Sequence, residues 1–513
     1  MAVDWLEWSD DAFARARAED KPLVLDLAAA WCHGCRVMDR ETYGDAEIAE
    51  LLRRHYVPVR VDSDRRPDIN ERYNLGGWPT TAFLTPSGHV LGGATYLDRT
   101  QMKQMLVQLA AGWSAQRARI DEEIARRDEK IQQVLQKDLP GLSAVTMEIF
   151  RKTVRGIVAT FDPLHGGFGQ APKFPLPTSL RVVLQAYQET EGADFAAVLV
   201  KTLDVLVDRA IFDNGQGGFF HYATNDLWTA PRFEKLTEDN ALLIRLYLDA
   251  HTVTRADKYL AKAVRALEWA KAVLLDPDRG VFWGSQVADD DYYGASPAER
   301  ARRAPPPPDR TVIAPATCAM ASTFLRASEV LGDPAFAGTA LHGLDWMLRD
   351  MVVDGRVAQY HDGRPRVPFL LRGAVGLATS CLDAYEHTGE ARWRDAARSL
   401  LDGLPARFWS DVERGFLDRE IGSPAQGELA RPRRSLADNA SAADAYARLA
   451  RLGGEEEHRR WADRLLRAFP DFLDGYGHDT AEYALAADRF LRDPQDVGPD
   501  GLRPWLPRRR VVR

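Results

Sequence analysis

Cys32 and Cys35 close an apolar run, Val24-Leu25-Asp26-Leu27-Ala28-Ala29-Ala30-Trp31-Cys32-His33-Gly34-Cys35, and an amphipathic stretch follows from Arg36. That order reads as strand, tight loop and helix, with the first cysteine at the helix N-terminus. The free N–H groups and the dipole of a helix start favour thiolate over thiol. A thiolate is the form that attacks a disulfide, so the spacing points to thiol–disulfide exchange. Half of a zinc site has the same spacing, but tetrahedral zinc needs two more ligands. Cys318 and Cys381 lie far along the chain, and His33 and His55 show no paired ligand spacing. Neither a metal nor another cofactor is expected.

Three further residues belong to this reading. Asp26 sits on the expected strand between apolar neighbours. Burial would raise its pKa and fit it to trade protons with Cys35; the alternative is a hydrogen-bonded core aspartate. His33, between the cysteines, would stabilise a thiolate as a cation, or simply face water. Pro79 follows Gly76-Gly77-Trp78 and precedes the β-like run Thr80-Thr81-Ala82-Phe83-Leu84. A cis bond there would set backbone beside the cysteines; a trans proline would start an edge strand. Trp31 and Trp78 are the aromatic residues expected to contact substrate.

The elements that must position these groups resemble the thioredoxin fold. The Asp26-to-Cys32 interval, Trp31, the strand Val57 to Asp62, Trp78-Pro79-Thr80 and the hairpin around Pro86-Ser87-Gly88 match in type and order. The resemblance implies a nucleophilic Cys32, a resolving Cys35, a buried acid at Asp26 and a cis peptide before Pro79.

At 513 residues the chain is too long for one ordinary domain. Its hydrophobic share of 45 % and charged share of 28 % are those of a globular protein. A net charge of −8 argues against nucleic-acid and anionic-membrane partners. The short basic tail Arg508-Arg509-Arg510 reads as a solvated end. No apolar run reaches membrane-spanning length, and the N-terminus lacks a basic region followed by an apolar one. Cytoplasmic residence is the expectation, and four cysteines suit a reducing compartment.

A first domain is expected over 1–113, a charged linking helix over 114–141 and a second domain over 142–513. In the second, helical periodicity dominates and nothing suggests a sheet. A unit of glycine followed by an aromatic or apolar residue recurs at Gly166-Gly167-Phe168, Gly217-Gly218-Phe219, Gly280-Val281-Phe282, Gly355-Arg356-Val357 and Gly415-Phe416. An aspartate precedes most of them, and the interval suits a helical hairpin plus loops. About six such hairpins closed into a ring make an (α/α)6 toroid, with the aromatics at one mouth. The sixth unit, near Tyr483 to Leu491, lacks the glycine signal. Pro305 to Pro308 reads as a stiff exposed loop.

Polar and aromatic residues gather near those loops. Lys173, Arg232, Glu234 and Asp239, with Phe219, Trp283 and Tyr360, are the candidate binding residues, and His165, His221, His361 and Asp438 lie nearby in sequence. Aromatic faces beside carboxylates suit a sugar-like ligand, and paired acids or histidines suit glycoside or epimerase chemistry. The bland alternatives are turn-forming aspartates, aromatics that pack the ring, and an ion-paired helix start at Arg232 to Lys235.

Over nearly its whole length the chain resembles the spermatogenesis-associated protein family. The matching stretches include Trp31-Cys32-His33, Cys35, Arg66-Pro67-Asp68-Ile69, Gly76-Gly77-Trp78-Pro79, Gly166-Gly167-Phe168-Gly169, Ala171-Pro172-Lys173-Phe174-Pro175, Phe233-Glu234-Lys235 and Asp239-Asn240-Ala241. The resemblance implies a thioredoxin-like domain joined to an (α/α)6 barrel like that of sugar epimerases and six-hairpin glycosidases. Departures are Gly34 and Arg36 around the second cysteine, where the family has Trp and His, and Arg232, where it has His. The expected function is dithiol–disulfide oxidoreduction on a protein disulfide or small thiol, with a barrel pocket for substrate or partner. A carbohydrate-active barrel and a non-catalytic interaction protein are the rivals.

Overall fold

The structure is a computed structural model and describes residues 3–135, 142–453 and 455–492; the Arg508–Arg510 tail and the end of the expected linking stretch lie outside them. The chain divides into two compact units, residues 1–140 with 422–432, and residues 141–421 with 433–513.

In the first unit, α1 (Asp10–Ala18) starts at Ser9, whose side chain accepts from the Ala12 N–H. Then come β1 (Leu23–Ala28), α2 (His33–Met38), which runs on into a π turn over Asp39–Tyr43, α3 (Ala46–His55), β2 (Val57–Asp62), α4 (Pro67–Tyr73), β3 (Thr80–Leu84), β4 (Val90–Ala94) and α5 (Arg99–Leu135). The sheet order is β2-β1-β3-β4, with β1 parallel to β2 and antiparallel to β3. Alternation sorts the side chains to two faces. Leu23, Leu25, Leu27, Val57, Val59 and Val61 pack with Phe13, Ile69 and Tyr73. Val24 and Phe83 pack on the other face with Met38, Tyr43, Met102 and Leu106. The expected boundary near Trp113 falls inside α5, whose helical geometry breaks at Gln116 (φ −122°, ψ 19°).

The segment 422–432 leaves the second half of the chain and completes this unit. Leu429 is buried in the core that holds Phe13 and Tyr73. The Glu428 N–H donates to the Tyr73 hydroxyl (2.7 Å), which donates to the Gly88 carbonyl (2.8 Å). Arg72 donates to the carbonyls of Glu428 and Arg431, each at 3.2 Å. Gly88 (φ +87°) approaches Gly427 so closely that a Cβ would lie 2.4 Å from the Gly427 Cα, so this crossing requires glycine.

The second unit is a closed ring. Its inner helices are Pro177–Thr190, Thr237–Thr254, Ala314–Leu331, Leu371–Thr388, Leu436–Gly453 and Thr480–Leu491, each packed on the next and the last on the first. Outer helices Met147–Ala159, Ala193–Asp208, Asp257–Trp269, Pro334–Trp346, Ala391–Asp402 and Glu456–Leu466 each precede an inner partner. Among the described residues this is the (α/α)6 toroid read from the repeat. The sixth hairpin is present, with Gly475-Tyr476 in its connection, and its packing on the first pair closes the ring. Returns from inner to outer helices are short, as at Arg255-Ala256 and Gly389-Glu390, while outer-to-inner connections are long.

Three expectations change here. The aromatics after the glycines line no mouth: Phe168, Phe219, Phe282 and Phe416 are all buried in the ring's core. Their turns point inward because the glycines, at positive φ from Gly166 to Gly280, let the backbone touch the next outer helix. The unit also carries a small sheet, ordered Pro365–Arg366, Tyr360–His361, Pro308–Ile313, Val281–Gln286 and Lys235–Leu236. Three of its strands are only two residues long, and the six-residue pair Val281–Gln286 and Pro308–Ile313 does not alternate apolar with polar residues. Within the proline run, Pro306 is buried, and its carbonyl accepts from the Gln286 amide (2.9 Å).

Candidate functional site

The dithiol sits where β1 hands over to α2. Asp62, at the end of β2, fixes the loop, one carboxylate oxygen accepting from the Ala30 N–H (3.1 Å) and the other from Asp64 and Arg65. The Trp31 indole donates to Asp64 (2.8 Å). Cys32 is the N-cap of α2, and its Sγ accepts the Cys35 N–H at 3.1 Å. The two cysteines are disulfide-bonded, with Cα atoms 5.3 Å apart, and both are buried. On reduction, the N–H aimed at Cys32 Sγ stabilises a thiolate there rather than at Cys35. His33 is half-buried in the first turn.

Opposite lies the loop before β3. The Trp78–Pro79 peptide is cis. Asn74 accepts from the N–H groups of Gly76 and Gly77, and Thr80 donates to the Gly77 carbonyl. Pro79 touches the dithiol loop: a Cβ on Gly34 would lie 3.3 Å from its Cδ. Trp31 and Trp78 meet edge to face at 5.3 Å, and the Trp78 indole donates to Asn70 (3.1 Å). The structure thus brings Trp31, Cys32, Cys35, Trp78 and Pro79 together.

Asp26 is 2 % exposed. Register sets it beside Arg60 on β2 and Thr81 on β3. Arg60 Nε donates to its carboxylate at 2.7 Å, and the Tyr43 hydroxyl lies 3.5 Å away. Burial lifts the Asp26 pKa to about 6, with the Arg60 charge opposing. The same guanidinium bonds Asp39 and stacks 4.4 Å over Trp5. Among the described residues the carboxylate's hydrogen-bond partners are Arg60 and Tyr43, not a cysteine. Sequence reasoning missed Arg60. The signal was present: in Val57-Pro58-Val59-Arg60-Val61-Asp62 the valines share one face, so Arg60 falls on the face of Asp26.

In the barrel unit the candidate residues separate. Lys173 is fully buried, and its ammonium is held by Asp162 and the Gly166 carbonyl (3.0 Å). Lys235 repeats the arrangement with Asp213 (2.8 Å) and the Gly217 carbonyl (2.7 Å), and Arg300 joins Asp213. Burial pushes the Lys235 pKa down to about 8, while the Asp213 charge opposes. These lysines pin successive glycine turns. Phe219 is likewise internal, stacked on Tyr247 at 5.3 Å.

A second group does converge. The His221 N–H donates to the Glu234 carbonyl (2.9 Å), and its ring Nδ1 lies 2.5 Å from Asp239. Glu234 is 6 % exposed, and its Oε2 has no hydrogen-bond partner. Phe174, partly exposed, stacks on Tyr222 at 4.8 Å beside His221. Arg232 is exposed on the same hairpin. Trp283 lies under Arg310 (5.0 Å), and Tyr360 pairs with Ile313 in the small sheet.

Residues 1–136 match a family model described as Thioredox_DsbH, protein of unknown function, DUF255. Human spermatogenesis-associated protein 20 is 29 % identical over 327 residues, 59 % of this chain and 40 % of that protein. Uncharacterized protein B0495.5 of Caenorhabditis elegans is 31 % identical over 271 residues, 49 % of this chain and 37 % of its own. The matches thus span about two fifths of these curated relatives. Thiol:disulfide interchange protein DsbD 1 of Pseudomonas aeruginosa is 32 % identical over 82 residues, 15 % of this chain and 14 % of that protein. Among solved structures, a sugar epimerase from a ruminal bacterium aligns with TM-score 0.54 and 12 % identity, over 67 % of this chain and 97 % of its own. The cellobiose 2-epimerase of Spirochaeta thermophila aligns with TM-score 0.52 and 14 % identity, over 67 % and 98 %. At such identity these two show the fold alone. The chain therefore joins a thioredoxin-like domain, similar over 82 residues to part of that DsbD 1, to a barrel with the fold of these epimerases. Among the described residues no helix is long and apolar enough to cross a membrane.

Proposed function

We propose that this protein is a dithiol–disulfide oxidoreductase acting from Cys32 and Cys35 in the cytoplasm, on a protein disulfide or small thiol. The observation that carries the reading is the Cys35 N–H directed at Cys32 Sγ, which makes Cys32 the favoured thiolate. Reduced Cys32 attacks a substrate sulfur, and the substrate's other sulfur leaves as thiolate. Cys35, losing its proton, then attacks Cys32 Sγ in the mixed disulfide; the second substrate thiolate leaves and Cys32–Cys35 is oxidised. Asp26, its pKa lifted to about 6, is the acceptor for the Cys35 proton, directly or through water. Pro79 and the Trp31–Trp78 pair form the surface on which substrate backbone rests, and the barrel offers a surface for substrate or partner.

The test is reduction of insulin disulfides by dithiothreitol with the full chain. Wild type accelerates it and Cys32→Ser does not. Cys35→Ser, exposed to oxidised glutathione, accumulates a mixed disulfide at Cys32. Equal rates for wild type and Cys32→Ser sink the proposal.

One observation favours a second reading, sugar-directed acid–base chemistry in the barrel: the His221–Asp239 pair beside the unpartnered Glu234 oxygen. If the full chain turns over a glycoside or epimerises a sugar, Glu234→Gln or Asp239→Asn lowers that rate by roughly 10²–10⁴-fold. Absence of any such turnover removes this reading.

A further inference from the structure

The Arg60 guanidinium is shared between two acids. Its Nε donates to Asp26 Oδ2 at 2.7 Å, and its Nη2 donates to Asp39 Oδ1. Nε and Nη2 form the edge that fits one carboxylate with two parallel bonds. Arg66 uses that edge so, giving both bonds to Asp68 at 2.9 Å each. Arg60 divides it instead. One bond goes inward, to an acid whose side chain is 2 % exposed, and one goes outward, to an acid whose side chain is 43 % exposed. The guanidinium is held between them by the rings of Trp5, 4.4 Å away, and Tyr43, 5.6 Å away.

Chain position sets up the division. Asp39 opens the π turn that follows α2, and its N–H donates to the Cys35 carbonyl, one helical turn back. Residues four apart share a helix face, so the face that carries the second cysteine also carries Asp39. Tyr43 closes the same turn; its hydroxyl lies 3.5 Å from Asp26 Oδ1 and 2.9 Å from Thr81 Oγ1. Both ends of the turn thus touch the Asp26–Arg60 pair, and π turns of this kind recur at functional sites. The groups facing Asp26 are therefore Arg60 from β2, Asp39 and Tyr43 from the turn after α2, and Thr81 from β3. Burial pushes the Tyr43 hydroxyl well above the ordinary tyrosine value, so it stays neutral. One cation serves two carboxylates, and neither takes it whole.

We propose that Asp39 is a positioning residue for the disulfide exchange at Cys32 and Cys35: by drawing Nη2 outward it limits Asp26 to one arginine bond and keeps that carboxylate basic enough to take the Cys35 proton. The inference deepens the oxidoreductase reading and rests on it. In the resolving step the Cys35 sulfur attacks Cys32 Sγ, the substrate thiolate leaves, and the Cys35 proton passes to Asp26. A carboxylate held by both edge nitrogens is a weaker base, because each charge-assisted bond favours the ionised form. The nearby Asp39 charge also favours protonated Asp26 directly. Asp39 touches no reacting atom and acts through Arg60.

A carboxyl titration and a pH–rate profile of the full chain test it. With ¹³C at the aspartate carboxyls, the Asp26 resonance is the one missing in Asp26→Asn. Asp39→Asn frees both edge nitrogens for Asp26, so the midpoint of that resonance falls by at least about half a pH unit, and the acid limb of insulin reduction falls with it. Above both midpoints, release from the mixed disulfide slows, since the acceptor is a weaker base. Asp39→Glu keeps the charge and returns both readouts toward wild type. A merely structural Asp39 would lower stability and leave midpoint and limb in place. The inference is overturned if the midpoint stays or rises in Asp39→Asn, if the Asn and Glu variants titrate alike, or if the midpoint falls while the acid limb of an active chain does not move. The titration needs no turnover. A falling midpoint in a chain that does not reduce insulin sinks the oxidoreductase reading, and leaves the sharing of Arg60 standing.

Discussion

Replacing Asp26 with asparagine should change how the stability of the first unit depends on pH. The native pKa is lifted to about 6 by burial, against an ordinary aspartate value near 3.9. The folded state therefore holds this proton more tightly than the unfolded state does. The group's contribution is most favourable below about pH 4 and is lost as pH rises through 6. A difference of about two pH units corresponds to ~3 kcal/mol at 1.36 kcal/mol per unit. Asparagine carries no such term; the pH dependence of the bond from Arg60 is already contained in the Asp26 pKa, and in the variant Arg60 keeps Asp39. Native-state hydrogen exchange of the β1 amides, corrected for intrinsic rates, reads this unit alone. Between pH 4 and 7 the Asn variant should gain on wild type by about 2 kcal/mol, most of it between pH 4 and 6. A difference that stays flat within about 0.5 kcal/mol would refute the placement of a high-pKa acid here. Slower release of substrate from the mixed disulfide in the same variant would tie the acid to catalysis.

Arg60→Met removes the cation that opposes burial, so the Asp26 pKa should climb above 6 and the acid limb of disulfide turnover should move to higher pH; an unmoved limb would detach Arg60 from the chemistry. In the reduced chain near pH 7, iodoacetamide should modify Cys32 at least tenfold faster than Cys318, whose pKa burial pushes up to about 12, or Cys381, also raised; mass spectrometry of timed digests reads the order. Lys173→Met should strip Asp162 of its buried cation and cost roughly 3–5 kcal/mol of barrel stability in urea melts, while insulin reduction stays unchanged. Reduced activity with unchanged stability would instead make Lys173 a binding residue.

Architecture was legible where residues repeat at a physical period. The alternating leucines and valines of β1 and β2, and the glycine turns spaced by helical hairpins, each have a single consistent folding. Cys32, Cys35 and Pro79 were legible as a constellation because their neighbours set the order strand, loop, helix and strand. Partners across strands were less so. Arg60 meets Asp26 only through register between segments more than thirty residues apart, and register follows from packing both faces at once. Lys173 misled for a related reason. A lysine beside aromatics and acids reads as a pocket residue, yet Lys173 gives its ammonium to Asp162 and to the Gly166 carbonyl of a glycine turn, an acceptor that no side-chain pattern reveals. The small sheet in the barrel loops escaped because three of its strands are two residues long and the other two, Val281–Gln286 and Pro308–Ile313, do not alternate.

The crossing of segment 422–432 into the first unit also bears on synthesis at the ribosome. Leu429 is a core residue of the unit that otherwise ends with α5 at Leu135, so that core stays incomplete while nearly three hundred further residues are made. At ~5–20 residues per second the wait is about 15–60 s. Through that interval the nascent domain carries the hydrophobic gap that Leu429 will fill, and the Tyr73 hydroxyl lacks the Glu428 N–H. The thioredoxin-like unit is thus sealed after most of the barrel exists, and a nascent chain stalled before Gly422 would present it unsealed to chaperones and proteases.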